Sequence, residues 1–201
     1  LHKSQEELEM LARKKVKHLY LGIESGLDDV LKFMKKDHDL AQAYQAIDRL
    51  HEAGLIYDAH IMTGVAGKGR GMENAEALAQ FLNRTNPAHV VNFSMFLHKE
   101  VPLYQDIRQG TFVPADELET IREEYHLIER IAPEKAGANI LYDGFHDFIH
   151  VRVRGHLPGD KEKMLAKLNG IIQEYEGKEP VYSFVQGECP DLEYCDDGKA
   201  V

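Results

Sequence analysis

The sequence predicts an α/β fold: the arc of a parallel (β/α) barrel, a partial TIM barrel, with a small C-terminal β-α extension. Three observations predict it. Short apolar runs beginning at Val16, Tyr57 and His89 alternate with longer stretches of helical period. Their starts lie about 41 and then about 32 residues apart, the spacing of βαβ crossovers. The first run ends in a glycine-flanked carboxylate, Glu24, at the strand end where such folds do chemistry. Three parallel strands do not close a barrel of the usual kind, so the remaining strands are expected upstream of residue 1. The first residue, Leu rather than Met, agrees with a piece of a longer protein.

The elements follow in order. Ser4 and Glu7 form a capping box before a short amphipathic helix carrying Leu8, Leu11 and Ala12. That helix ends on the basic cluster Arg13–Lys15, which suits the helix dipole. Val16–Glu24 is too apolar and too short for a surface helix and reads as a strand. From Leu27 the period becomes helical in two pieces, the first with Val30, Leu31 and Met34. Asp39 caps the second, with Leu40, Ala43, Tyr44, Ile47, Leu50 and His51 on one face; Gly54 stops it. Tyr57–Val65 is the second strand, and Gly64–Gly71 a glycine-rich turn. Asn74 opens a helix with Ala75, Leu78, Ala79 and Leu82 inside. His89–Leu97 is the third strand. Pro114 and Asp116 start a helix with the stripe Leu118, Ile121, Tyr125, Ile128 and Ile131.

After Pro133 the character changes. Phe148–Val153 alternates as a half-exposed strand, Leu157–Asp160 turns the chain, and Asp160 caps a helix carrying Met164, Leu165, Leu168, Ile171, Ile172 and Tyr175. Three parts are therefore expected: residues 1–132 as barrel arc, 133–176 as a β-α extension packed on it, and 177–201 as an acidic, turn-rich, flexible tail.

Bulk properties exclude several function classes. The 201 residues are 43% apolar with mean hydropathy -0.42, enough for a core and without a run long enough to span a bilayer. The start, Leu1-His2-Lys3-Ser4, has no signal-peptide pattern. Lys and Arg number 24 against 34 Asp and Glu, a formal charge of -10, which opposes a large phosphate-neutralising surface. Nucleic acid and membrane are therefore not expected as partners of this segment. Two cysteines exclude a disulfide framework and fit a reducing cytoplasm.

Alternation places Tyr20, Gly22 and Glu24 on the inner face of the first strand, with Leu19, Leu21 and Ile23 towards the helices. Glu24 at the rim can accept hydroxyls or an ammonium group, or it can cap a helix or pair with a nearby cation. In the second strand His60, Met62 and Gly64 share the inner face. His60 is a proton carrier or a hydrogen-bonded core residue, and Met62 is packing or a ring contact. Gly64 would let a flat ligand approach the backbone. In the third strand Asn92, Ser94 and Phe96 are placed inside, suited to a nucleoside, and Phe93, Met95 and Leu97 outside.

The Gly64–Gly71 loop, with Lys68 and Arg70, invites a phosphate-loop reading but lacks the Gly-Lys-Ser/Thr order, so a solvent loop is the plainer one. His146 and His150 are four apart, a metal-ligand spacing only on a helix; in a strand, which the β-branched context favours, they would lie about 13 Å apart, too distant to share a metal. His126 reads as solvated. Cys189 and Cys195 read as unpaired thiols in the tail.

Leu19-Tyr-Leu-Gly-Ile-Glu-Ser-Gly26, Leu31-Lys-Phe-Met-Lys-Lys36, Leu50-His-Glu-Ala-Gly54, Ala59-His-Ile-Met-Thr-Gly64, Val101-Pro-Leu-Tyr104 and Gly110-Thr-Phe112 together resemble the C-terminal half of a radical S-adenosylmethionine (SAM) domain. The likeness covers roughly residues 16–132. It implies the last three βα units of a (β/α)6 barrel, with SAM and a four-iron–four-sulfur (4Fe-4S) cluster as cofactors of the full-length protein. Such enzymes cleave SAM reductively to a 5′-deoxyadenosyl radical that takes hydrogen from substrate. By position, the resemblance puts Glu24 and Ser25 near SAM's polar groups, His60, Met62 and Gly64 along adenosine, and Ser94, Phe96 and Leu97 near adenine. It also implies the missing N-terminal half of the barrel as partner and leaves the substrate unknown. The departure is the cluster motif: no C-x3-C-x2-C exists in this sequence, so the cluster ligands are not in this chain and no metal ligand is assigned. Two alternatives remain, a catalytically inactive barrel remnant acting as an interaction module and a phosphate-binding β/α enzyme using Gly64–Gly71.

Overall fold

In the computed structural model, which describes residues 2–184, three of the helices start on a side-chain cap. Ser4 Oγ accepts from the Glu7 amide and Glu7 reaches back to Ser4, opening α1 (Gln5–Arg13). The next elements are β1 (His18–Glu24), α2 (Asp28–Phe33) and α3 (Leu40–Glu52). Asp39 and Gln42 repeat the reciprocal cap on α3, and Gly54 at φ +74° releases the chain behind it. There follow β2 (Ile56–Thr63), α4 (Gly71–Thr85), β3 (His89–Ser94), α5 (Leu103–Arg108) and α6 (Glu117–Arg130), whose cap is Asp116. The chain continues through β4 (Ile140–His146), a single 3-10 turn (Asp147–Ile149), β5 (Val151–Leu157) and α7 (Lys161–Tyr175).

The five strands form one sheet in the order β1-β2-β3-β4-β5, with four parallel strands and β5 antiparallel on the far edge. This is the expected α/β class with a parallel arc. Leu19, Leu21 and Ile23 pack with Tyr57, Ala59, Ile61, Val90, Ile140, Tyr142 and Val153 into one apolar layer. Against it lie Leu50 of α3, Leu78 and Leu82 of α4, Ile121 and Ile128 of α6, and Leu168 of α7. Each fully buried Leu or Ile in such a layer contributes about 1.5–3 kcal/mol. The opposite face is open, with the Tyr20 ring 51% exposed.

Four expectations change. β4 was not anticipated; it lengthens the parallel sheet, so the chain after Pro133 is continuous with the arc rather than a β-α unit docked on its edge. The second late strand begins at Val151, and Phe148 sits in the 3-10 turn. Asn74 does not open α4, which starts at Gly71; it lies buried inside the helix. Residues from Gly177 were expected to be a loose tail, but Leu97 bonds the Ser183 carbonyl at 2.7 Å and bridges Phe184, closing a small cluster with Ile107 and Phe112. The rest of the predicted tail, with Cys189 and Cys195, lies outside the described residues. Among those described, no helix is long and apolar enough to cross a membrane.

Candidate functional site

Parallel register decides which side chains share the open face, because partners across a ladder point the same way. Gly22 pairs with His60, His60 with Val91, Met62 with Phe93, and Phe93 with Phe145. The open face therefore carries a run of rings. Tyr20 and His60 lie 5.0 Å apart, His60 meets Phe93 edge-on at 6.0 Å, and Phe93 stacks on Phe145 at 5.5 Å. Arg152 of β5 sits 4.7 Å over Phe145 and holds Asp143 through two bonds of 2.8 and 2.7 Å. Lower on the same face, Tyr20 Oη and His89 Nδ1 are 3.0 Å apart, and His18 Nδ1 lies 2.8 Å from Asp58 Oδ2.

At the C-terminal rim, β1 breaks register between Gly22 and Glu24. Glu24 adopts φ +62°, a conformation uncommon for a residue with a side chain and found most often where function or packing over-determines it. Its carboxylate folds back over Gly22, where an added Cβ would meet Oε1 at 2.7 Å. Lys36 holds that oxygen at 3.0 Å, so the cation-pairing reading of Glu24 is the geometry found. Ser25 turns the other way. It is fully buried, donates to Asn74 Oδ1 at 2.7 Å and accepts from the Leu27 amide.

Gly64, at φ +81°, donates its amide to Glu123 Oε2 at 2.8 Å. A Cβ here would strike Thr120 of α6 at 2.8 Å, so the close approach that needs glycine is to the helix, not to a ligand on the open face.

The third strand's faces are the reverse of those expected. Asn92 and Ser94 pair with Ile61 and Thr63 and point to the helices, and Phe93 takes the open face beside Met62. The polar side chains are accommodated there because α6 buries three carboxylates. Glu124 Oε1 accepts from Asn92 at 3.1 Å and from Tyr142 at 2.9 Å. Glu117 accepts from Ser94 at 3.0 Å and also from Ser183. His146, fully buried at the end of β4, bridges the two: Nδ1 lies 3.0 Å from Glu117 Oε2 and Nε2 3.0 Å from Glu124 Oε2. Burial alone would favour the neutral ring, but the two carboxylates outweigh it and raise the His146 pKa to about 10. Burial likewise pushes Glu117 up, and its bonds to His146, Ser183 and Ser94 bring it below the usual carboxylate range. Glu123 accepts from Asn74 and Gly64, yet full burial pushes it up to about 8.

The remaining candidates separate. Phe96 is 52% exposed and meets His98 edge-on, and Leu97 is buried under Phe184. Amides of the Gly64–Gly71 loop are already engaged: Gly67 bonds Gly64, Lys68 bonds Val113, Arg70 bonds Gly67, and Gly69 bonds Glu119. Arg70 is held by Asp29 and Glu73. No open nest for a phosphate is left at those positions. His146 and His150 lie on different elements, β4 and the cap of the 3-10 turn, rather than on one strand. His126 is not solvated but half-buried beside Arg130, Glu76 and Glu129, and burial followed by Arg130 lowers its pKa.

Sequence reasoning missed Phe93, Phe145 and the network of Glu117, Glu124 and His146. The signal available for the network was α6 itself, whose Glu117 and Glu124 stand seven residues apart and so share one helix face.

The open face, with the Glu24 carboxylate at its rim, lies at the C-terminal ends of parallel strands, the end at which (β/α) folds generally bind ligands. Residues 1–82 match the family model of the Radical SAM superfamily. The sequence is 25% identical to the tRNA uridine(34) acetyltransferase of Methanocaldococcus infernus over 119 residues, 59% of this chain and 22% of that protein. A solved structure of the archaeal Methanocaldococcus infernus Elp3 with an N-terminal deletion (1-46) superposes with a TM-score of 0.59 at 18% identity, covering 85% of this chain and 39% of that one. Residues 1–82 thus resemble part of a radical SAM superfamily domain, and the chain spans about a fifth of the length of the curated relative.

Members of the family whose model matches residues 1–82 use two cofactors in general, and the residues of this chain suit them differently. The sequence has two cysteines, at 189 and 195, so a three-cysteine cluster loop has no counterpart in this chain and the residues do not fit the cluster. A nucleoside is better matched: His60, Met62 and Phe93 offer a half-exposed, ring-bearing surface next to the rim.

Proposed function

We propose that this chain forms the C-terminal wall of a SAM and substrate pocket in a longer radical SAM enzyme. The observation that carries the reading is the convergence of the Glu24 carboxylate with the His60–Met62–Phe93 surface at the ends of β1, β2 and β3. Adenosine lies along that surface, with the Phe96 ring at its outer end. Glu24 takes the ammonium group of SAM, exchanging Lys36 for it. Ser25, Gly64 and Ser94 act behind the wall, fixing the strand ends through Asn74, Glu123 and Glu117, and Leu97 anchors the rim. The cluster, and with it the reductive cleavage of SAM, belongs to the upstream part of the full-length cytoplasmic protein. The relative's tRNA substrate extends to that full-length protein. With a formal charge of -10, this segment leaves most phosphate neutralisation to other parts.

A second reading has its own support. Glu24 is already paired with Lys36 and the cluster cysteines are missing, as in a barrel remnant that serves only as an interaction module. Two measurements on this chain separate the readings. Anaerobic reconstitution is expected to give no stoichiometric iron and no SAM cleavage; one cluster per chain would refute the assignment of the cluster to other residues. Calorimetric titration with SAM is expected to give binding that Glu24→Gln weakens about tenfold, the equivalent of one lost charge-assisted contact. No binding at millimolar SAM leaves the remnant reading standing.

A further inference from the structure

The loop between β2 and α4 offers no phosphate nest, yet Val65, Ala66 and Gly67 are buried within it. Gly67 explains its path. It sits at φ +79°, and an added Cβ would meet the Val113 carbonyl oxygen at 3.0 Å and Phe112 Cε2 at 3.1 Å. The Lys68 amide bonds that same carbonyl at 2.8 Å, which pins the loop under the chain entering α6. On the other side, Phe33 of α2 stacks on Phe112 at 5.9 Å with the ring planes 17° apart. These contacts leave a cleft of about 360 Å³ just beyond the C-terminal ends of β1 and β2. Val30, Phe33, Val65, Ala66, Phe112 and Val113 form its apolar lining.

The polar side chains on the lining are committed, with one exception. Arg70 is held by Asp29 at 2.8 Å and by Glu73 at 2.9 Å, so it is no free cation, and Asp29 directs its own charge to Arg70. The Thr111 hydroxyl is turned to Asp106. Lys68 is exposed, and among the described residues its ammonium group has no ion pair or hydrogen bond.

We propose that this cleft binds a small molecule with an apolar aryl or alkyl body and a single carboxylate, the carboxylate resting on Lys68. Six apolar side chains reward buried apolar area and leave a polar body short of partners. Lys68 sets the charge. A lysine is a compact point charge rather than a planar fork, so it balances a carboxylate but only part of a phosphate's charge. A ligand ammonium would meet Lys68 as a like charge, and the carboxylates nearby already serve Arg70. The volume lies in the range of small-molecule sites, about 300–1,000 Å³. The inference does not rest on the SAM reading, since Glu24, His60 and Phe93 are not on this lining.

The test uses the whole chain, labelled with 15N and with 13C at the valine and alanine methyls. It is titrated with 4-phenylbutyrate and, separately, with the neutral 4-phenylbutanol. Saturable shifts are expected at the Val30, Val65 and Ala66 methyls, with a dissociation constant for the carboxylate of about 1 mM or tighter. The alcohol should bind about fivefold more weakly, between the worth of an exposed and of a buried charge pair. In Lys68→Gln the two should bind alike. Phe33→Ala should weaken both about tenfold through lost apolar contact. Phe33 is 41% exposed and Lys68 lies on the surface, so both variants keep the core intact. Four results each overturn the proposal: no saturable methyl shift up to about 10 mM carboxylate, equal affinity for acid and alcohol in the unaltered chain, a preference for the acid that survives Lys68→Gln, or affinity unchanged in Phe33→Ala.

Discussion

His146→Leu is expected to lower folding stability by about 3–5 kcal/mol, a large part of what a domain this size possesses. Both ring nitrogens face carboxylate oxygens at 3.0 Å, which requires a proton on each and makes the ring a cation between two buried anions. Removing it leaves Glu117 and Glu124 facing each other across an apolar side chain. Urea unfolding should show the midpoint falling with the slope unchanged. Adding Glu117→Gln and Glu124→Gln to the same variant should recover more than half of the loss, because the orphaned charges go with it. A loss under about 1 kcal/mol for His146→Leu alone would mean the network is not charged as described. The pH dependence carries a second signature. The folded pKa of about 10 lies above the unfolded value, so the His146 contribution is complete below about pH 6.5 and is lost as pH rises towards 10. Glu123, raised to about 8, favours the folded state in the same direction, with its contribution eroding above about pH 4.5. Glu117 is depressed, so its share is lost on the acid side. The alkaline slope should flatten in His146→Leu and, over the lower part of the range, in Glu123→Gln.

That network explains what the sequence made readable and what it hid. β1 was legible because its two faces differ in kind, aliphatic Leu19, Leu21 and Ile23 against Tyr20, Gly22 and Glu24. The caps at Ser4, Asp39 and Asp116 were legible because they are local. β3 was assigned to the wrong faces because alternation yields two faces without saying which is inner, and a one-residue change of orientation exchanges them. Polar Asn92 and Ser94 look like ligand-facing residues until Glu124 and Glu117 are known to be buried behind them, and the seven-residue spacing of those glutamates shows a shared helix face without showing that it turns inward. β4 was missed for a related reason. Its Asp143 and Gly144 are poor strand formers, yet Gly144 is required: a Cβ there would lie 1.8 Å from Glu124 Oε1. The packing that buries the network thus removes the strand's own signature. His60 and Met62 were placed on the open face correctly because they depend only on β2 periodicity, whereas Glu24 reaches back over Gly22 through its own positive φ and not through the alternation. Ser25 was misplaced, because Glu24 at positive φ breaks the alternation just before it.

Gly26→Ala is expected to cost about 3 kcal/mol, near the upper end for forcing extra volume into a packed interior. The loop after β1 passes so close to α4 that an added Cβ would stand 2.4 Å from the Leu78 amide nitrogen and 2.5 Å from the Ala77 carbonyl carbon. Both are backbone atoms of a helix interior, so no side chain can rotate to relieve the clash. The chain must move instead, and what it carries are the bonds of Ser25 and the Gly26 amide to Asn74, at 2.7 and 3.1 Å. Asn74 in turn holds Glu123, which holds Gly64, so one methyl group would loosen the ends of β1 and β2 together. Amide hydrogen exchange should register this as lost protection at Gly64 and Gly26, beyond the fall in global stability. Gly54→Ala serves as the control, since a Cβ there meets nothing within 4 Å and only its positive φ resists. It should lower stability by about 1 kcal/mol without touching exchange at Gly64. Equal loss of protection at Gly64 in both variants would show that the rim answers to overall stability and not to the Ser25–Asn74–Glu123 chain.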